Sequence, residues 1–417
     1  MSDPITLVVR DIGALVTCDP DRGDAPGVIN DAVLMCAGER ISYAGSRRGA
    51  VFAPLTGDVI DIDAHGAAVI PGFVDAHTHI AWLGDRGDEY VLRSSGVSYE
   101  EIARGGGGIR STIRSTAAGS VATICDAAGH RARRMIEHGT TTVEVKSGYG
   151  LDLDAELRQL DAVLGLDERD DLPHAVATYL ALHAAPEGDR ERFITDVCAR
   201  GVQEAAVRAA FCDVFCDEEA YTVEECRRVL AAASRAGMSL KIHAEQRSRS
   251  GGAQLAAELH ATSADHLEHA TDDDLRALAA AGVSGVILPS AALVLGGPPP
   301  PGRRLRDAGA TVAIATDCNP GTSYAESMPL MISLAVATSG LSPAEALVAA
   351  TSGGARALAL ADRGVLRVGL RCDAVVLSTP HWIDVAYHLG ANPVATVIRT
   401  GQVVVGAGAA DRRRVWT

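Results

Sequence analysis

Between residues 69 and 317 the sequence alternates eight times between a short apolar run and an alanine-rich stretch of helical character, and few folds can accommodate that. The runs are 69–79 (VIPGFVDAHTH), 140–147 (TTTVEVKS), 174–183 (HAVATYLALH), 211–217 (FCDVFCD), 239–245 (SLKIHAE), 264–269 (ADHLEH), 284–289 (SGVILP) and 311–317 (TVAIATD). Helical stretches are expected at 121–138, 154–165, 191–208, 222–236, 251–260, 272–281 and 303–308. Strands separated by helices pair in parallel, and eight such units predict an α/β fold, a (β/α)8 TIM-like barrel. The flanks read differently. ITLVVRDI, GALVTC and AVLMCAGERISYAG near the start, and RCDAVVLST and VATVIRTGQVVVGAG near the end, are β-like runs separated by turn residues. The two ends are expected to pair into one small, antiparallel β-sandwich domain, discontinuous over 1–68 and 360–417, with the barrel over 69–359.

Composition narrows the partners. The formal net charge of −15 is spread along the chain, which argues against nucleic acid and against an anionic membrane. A small anionic substrate would therefore need a local basic site. No uncharged apolar run approaches the ~18 residues of a membrane span, and the opening MSDPITLVVRDIG lacks the pattern of a signal peptide. Nine scattered cysteines without a CxxC pair predict reduced thiols in a cytoplasmic protein. Of the 38 basic residues only Lys146 and Lys241 are lysines, and both fall in expected barrel strands. A compact ammonium in a buried ion pair would account for this, chance being the plainer explanation.

The chemistry gathers at the strand ends. Residues i and i+2 of a strand share a face, so His77 and His79 point the same way at the C-terminal end of the first strand, where barrels carry their active sites. Strand five ends in His243, strand six in His266 and strand eight in Asp317. His77, His79, His243 and Asp317 make a cysteine-free ligand set suited to one divalent ion per subunit, Zn2+ or Fe2+/Fe3+, with Mn2+ chemically compatible. His266 is open between ligand, proton carrier and structural residue, a base or an outer position being favoured because four ligands and a water fill the site. The tetraglycine 105–108 lacks the ending of a phosphate loop and is expected to be a lid hinge.

The strand PGFVDAHTH, the later HAEQ (243–246) and DHLEH (265–269), and ATD (315–317) resemble the amidohydrolase superfamily of metal-dependent barrel hydrolases, over nearly the whole chain. HTHIAWLGDR, GGGGIRSTIRSTAA, HGTTTVEVKSGYGLD, ALHAAP and ATDCNPGTS resemble one branch of it, which opens an imidazolone ring bearing a propionate tail in histidine degradation. The resemblance implies hydrolysis by a metal-activated water, with Asp317 accepting its proton and His266 as the nearby alternative. It implies that Arg86, in the loop past strand one, binds the propionate, as a guanidinium fork can. It places Tyr99, Tyr149 and His183 in the substrate pocket, His183 also as a possible proton carrier. Asn319, Gly321 and Thr322 form an NPGT turn able to present polar groups to the substrate. A homodimer is implied as well.

One departure is Gln246, where related hydrolases often carry a glutamate. Glutamine cannot shuttle a proton, so Gln246 would only hydrogen-bond the ring, and Glu245, turned by strand alternation to the face of His243, would take some of the acid/base role. Two alternatives remain open. One is another amidohydrolase acting on a cyclic amide, of the hydantoinase or dihydroorotase type; many of those bridge two metals with a carbamylated lysine, for which Lys146 is the candidate, although it ends strand two rather than strand four. The other is a non-catalytic scaffold of the same fold, which the complete ligand set disfavours.

Overall fold

The computed structural model describes residues 4–23, 25–50, 59–97, 99–186, 188–218 and 220–406. Eight parallel strands run in chain order around the barrel: Phe73–Asp75, Thr140–Lys146, His174–Leu182, Phe211–Cys216, Ser239–Ala244, Ser263–His266, Ser284–Ile287 and Val312–Ile314. The last meets the first beyond the regular strands. His79 N donates to Cys318 O at 3.0 Å and Asp317 N to His77 O at 3.0 Å. Asp75 reinforces the seam by accepting Thr316 N at 3.0 Å and Thr316 Oγ1 at 2.6 Å. This closure puts His77, His79 and Asp317 side by side at one end of the barrel. The expected (β/α)8 barrel is thus present.

The longer helices between strands begin on a side-chain cap that satisfies their first backbone N–H groups. Ser120, Thr222 and Thr271 form capping boxes before Val121–Glu137, Val223–Arg235 and Asp272–Ala281, and Asp152 caps Leu153–Asp167. Three short helices precede Val121–Glu137, namely Gly87–Ser94, Tyr99–Arg104 and Ile109–Ala117. Helices at Pro289–Leu295 and Met328–Thr338 were likewise absent from the sequence expectation.

The chain ends build a second, mixed eight-stranded sheet with its own core of Leu7, Val9, Leu15, Leu34, Val69, Val376 and Ile398. Three differences from expectation follow. The sheet is not purely antiparallel, because Leu7–Val16 pairs in parallel with Ile60–Asp63 and Ala68–Pro71. The run expected as one strand at 69–79 is two elements: Ala68–Pro71 pairs in the terminal sheet and Phe73–Asp75 in the barrel. The thiols are not all reduced. Cys36 and Cys372 are joined in a disulfide with Cα atoms 6.3 Å apart, and seven cysteines are free. The two partners are 336 residues apart, a proximity that only the pairing of the chain ends creates. Segments 1–3, 51–58 and 407–417 lie outside the described residues. Among those described, no helix is long and apolar enough to cross a membrane.

Candidate metal centre and pocket

At the closed seam, Nε2 of His77 lies 3.3 Å from Nε2 of His79. Asp317 Oδ1 is 3.5 Å from the first and 3.4 Å from the second. His243, from the end of the fifth strand, brings a ring nitrogen within 4.8 Å of both histidines. All four side chains are buried. Burial pushes His77, His79 and His243 below the usual imidazole range, helped by neighbouring cationic groups and opposed at His243 by Asp213. The rings are therefore neutral, with lone pairs to give. Burial pushes Asp317 up to about 7. His243 Nε2 is buried without a hydrogen-bond partner, an arrangement that a coordinated cation would satisfy. Three imidazoles and a carboxylate fit a borderline divalent ion.

The ligand rings are held from behind. Asp265 Oδ2 is 2.6 Å from His77 Nδ1, a hydrogen bond, and Asp213 Oδ2 is 3.1 Å from His243 Nδ1, an ion-pair approach without full hydrogen-bond geometry. A carboxylate on the far nitrogen fixes tautomer and ring orientation. Neither aspartate is singled out by the sequence, although Asp265 precedes His266 and pairs across to His243. Lys146 sits beneath this layer, 2.7 Å from Asp213 and 3.0 Å from Glu144. A carbamate on Nζ would set a negative charge against these carboxylates, which disfavours the hydantoinase alternative.

Above the centre opens a cavity of about 900 Å³, lined by His79, His243, His266 and Asp317 together with Arg86, Tyr149, His183, Gln246, Asn319, Gly321 and Thr322. His183 stacks on His79 with ring centroids 5.3 Å apart and gives its Nδ1 proton to Gly148 O at 3.0 Å. Burial pushes it down to about 4, so Nε2 is a free acceptor. Gly148 has φ +111, and a Cβ there would lie 2.8 Å from that Nδ1. His266 differs from the other imidazoles. Burial alone would lower it, but Glu268, 3.7 Å away, and the aspartates beyond outweigh burial and hold it above its ordinary value. Asn319 Oδ1 accepts Gly321 N at 2.8 Å and Thr322 N at 2.7 Å, which locks the NPGT turn beside Asp317.

Two expectations change. Glu245 does not face the centre. Its backbone has φ +55, which breaks strand alternation, and its carboxylate accepts Ser250 N, Gly251 N and Ala253 N at the start of the helix Gly252–Glu258. Gln246 takes the pocket position instead. The glycine stretch is also tied down, since Gly108 N donates to Glu89 Oε1 at 2.8 Å and Arg114 donates to Gly106 O at 2.6 Å. Tyr99 opens its short helix, and its side chain lies outside the described residues.

The turn carrying Tyr149 hangs on Glu156, which accepts Gly148 N at 2.7 Å, Gly150 N at 2.6 Å and Leu151 N at 3.0 Å. Glu156→Ala would orphan these three donors. It is expected to cost about 3 kcal/mol of stability in denaturant melts, at ~1 kcal/mol or more per unsatisfied buried group. Glu156→Gln, which keeps an acceptor, should lose less. Equal stability of all three proteins would contradict this account.

The chain matches the model of the amidohydrolase family over residues 68–404. It is 45% identical over 375 residues to an imidazolonepropionase of Deinococcus deserti, covering 89% of this chain and 92% of that one. It is 42% identical over 415 residues to an imidazolonepropionase of Rubrobacter xylanophilus, covering 95% and 98%. Among solved structures, a zinc-bound adenosine deaminase from Xanthomonas campestris superposes with a TM-score of 0.71 at 19% identity, covering 97% of this chain and 93% of that one. That likeness speaks for the fold.

Proposed function

We propose, for a chain that belongs to the amidohydrolase family, that it is a hydrolase opening the ring of 4-imidazolone-5-propanoate to N-formimidoyl-L-glutamate. One water is consumed: a C–O bond forms at the ring carbonyl carbon, the adjacent ring C–N bond breaks, and the released nitrogen takes up a proton. The observation that carries this reading is Arg86. Its guanidinium is buried at the wall of the same cavity as the histidine cluster, so a site for a carboxylate tail stands beside a site for hydrolysis, in a chain 45% identical to an imidazolonepropionase.

A divalent ion held by His77, His79, His243 and Asp317 would polarise the carbonyl and lower the pKa of the attacking water. The protein's own groups do the rest. Arg86 binds the propionate, and the cavity wall at Tyr149, His183 and Gln246 seats the ring with hydrogen-bonding groups around its edge. Asp317 has an oxygen at the focus of the cluster, where it can take the water's proton. His266, on the same wall and backed by Glu268, is the group beside it that can return a proton to the leaving nitrogen. Gln246 donates or accepts hydrogen bonds but cannot carry that proton.

The test is direct. Metal-loaded protein is mixed with freshly made 4-imidazolone-5-propanoate, and loss of the imidazolone's ultraviolet absorbance is followed against the spontaneous decay. Fast, chelator-sensitive loss is the expected result. Loss no faster than the blank, with metal bound, would discard the substrate and send the search to other cyclic amides.

A further inference from the structure

The chain uses arginine at 36 of its 38 basic positions, the exceptions being Lys146 and Lys241. Both ammonium groups end in one cluster inside the barrel, with no solvent exposure at either side chain. Lys146 Nζ is 2.7 Å from Asp213 Oδ2, 3.0 Å from Glu144 Oε2 and 3.6 Å from Asp265 Oδ2. Lys241 Nζ is 3.0 Å from Glu144 Oε2 and 3.8 Å from Asp265 Oδ2, and it donates to Ala76 O at 2.9 Å. The remaining carboxylate oxygens are taken by Thr178 Oγ1 on Glu144, Ser263 Oγ on Asp265 and Val214 N on Asp213. Two cations thus sit among three buried anions, and two of those anions are the ones that hold His77 and His243.

A buried ion cluster is a poor device for stability, because desolvation takes back most of what the charges gain. Its value here is geometric. An aspartate left alone behind each ligand ring would be an isolated charge in a dry interior, free to take up a proton or swing toward another donor. Glu144, shared by both lysines, makes the whole layer one unit. A guanidinium is planar and wide and presents its donors in a fixed fork, whereas an ammonium is compact with three donors that can diverge toward separate oxygens. That is why arginine, used nearly everywhere else in this chain, is absent here.

We infer that Lys146 and Lys241 are positioning residues for the metal centre: by bridging Glu144, Asp213 and Asp265 they fix the two aspartates that orient His77 and His243. The inference rests on the proposed reading of the histidine cluster as a metal site. It also orders the two lysines. Lys146 touches Asp213 directly and approaches Asp265, while Lys241 reaches Asp265 only at longer range, so Lys146 has the larger effect.

The test measures metal affinity rather than turnover. Wild type, Lys146→Met, Lys241→Met and Lys146→Arg are stripped of metal. Their Zn2+ dissociation constants are then read by competition with a chromophoric chelator, at a temperature where far-ultraviolet circular dichroism shows each folded. The visible spectrum of the Co2+ form reports ligand geometry. Lys146→Met is expected to weaken Zn2+ binding 10- to 100-fold, the range for loss of an outer partner of a metal ligand, and to alter the Co2+ spectrum. Lys241→Met should show a smaller loss in the same direction, and Lys146→Arg should not restore wild-type affinity. Folded Lys146→Met with wild-type affinity and an unchanged Co2+ spectrum overturns the inference while leaving the metal site standing. If Lys146→Met does not fold, Lys241→Met decides alone, and unchanged affinity there overturns it. A wild-type protein that binds no Zn2+ and no Co2+ is a different failure, that of the proposed function, and takes the inference with it.

Discussion

His243→Ala is expected to remove the metal and the activity together, with kcat falling ~10³-fold or more while the fold persists. The size follows from what the centre contributes: several kcal/mol of transition-state stabilisation, each 1.36 kcal/mol being tenfold in rate. The persistence of the fold follows from where His243 sits. Its ring faces the cavity from the end of the fifth strand, its centroid 4.5 Å from that of His77 and 5.5 Å from that of His79, so truncation enlarges a space already open rather than cutting a void into packed core. Backbone pairing of the fifth strand with Phe211–Cys216 and Ser263–His266 is untouched. Metal content by elemental analysis and turnover on the imidazolone, measured on the same preparation, check both halves. A variant that keeps its metal and loses only rate would move His243 out of the ligand set and into the substrate wall.

Much of this was legible because local signals agreed with the global fold. Each strand run is bounded by capping or turn residues, so eight parallel units could be read without any contact information. His77 and His79 were legible as a pair because a period of two needs only the local chain. What escaped the sequence needed either a backbone exception or a distant partner. Glu245 was misplaced because its φ of +55 breaks the alternation that put it beside His243. The split at 68–75 escaped because the apolar run is continuous across two sheets. Met328–Thr338 is apolar nearly all round, since it is covered on several sides, and so shows no helical stripe. Asp213, Asp265 and the Cys36–Cys372 bond are meaningful only once strands or chain ends far apart in sequence are neighbours. The two lysines lie between these cases. Composition marked them and strand position located them, but their shared partner Glu144 appeared only in the folded barrel.

Arg86→Ala is expected to raise KM about 10²-fold with kcat changed far less. In free energy this is about 2.7 kcal/mol, the range for losing a charge-assisted hydrogen-bonded contact to a buried carboxylate. An effect on KM without kcat is what uniform binding predicts, since the propionate tail keeps its charge and position while the ring reacts. The geometry adds a refinement that the sequence could not supply. Nε of Arg86 lies 2.8 Å from Glu89 Oε2, and Nη2 lies 2.8 Å from the same oxygen. One edge of the guanidinium is therefore already engaged, and Nη1 is left pointing at Gly321, where a Cβ would come within 2.6 Å of it. The substrate carboxylate must approach along the Nη1 side, between Arg86 and the NPGT turn. Gly321→Ala should then imitate Arg86→Ala in direction by pushing the guanidinium aside, with a smaller rise in KM because the charge remains. Steady-state kinetics on both variants separate the cases. An unchanged KM in Arg86→Ala sinks the carboxylate assignment, whereas a raised KM there with a wild-type value in Gly321→Ala would keep the arginine and reject this direction of approach.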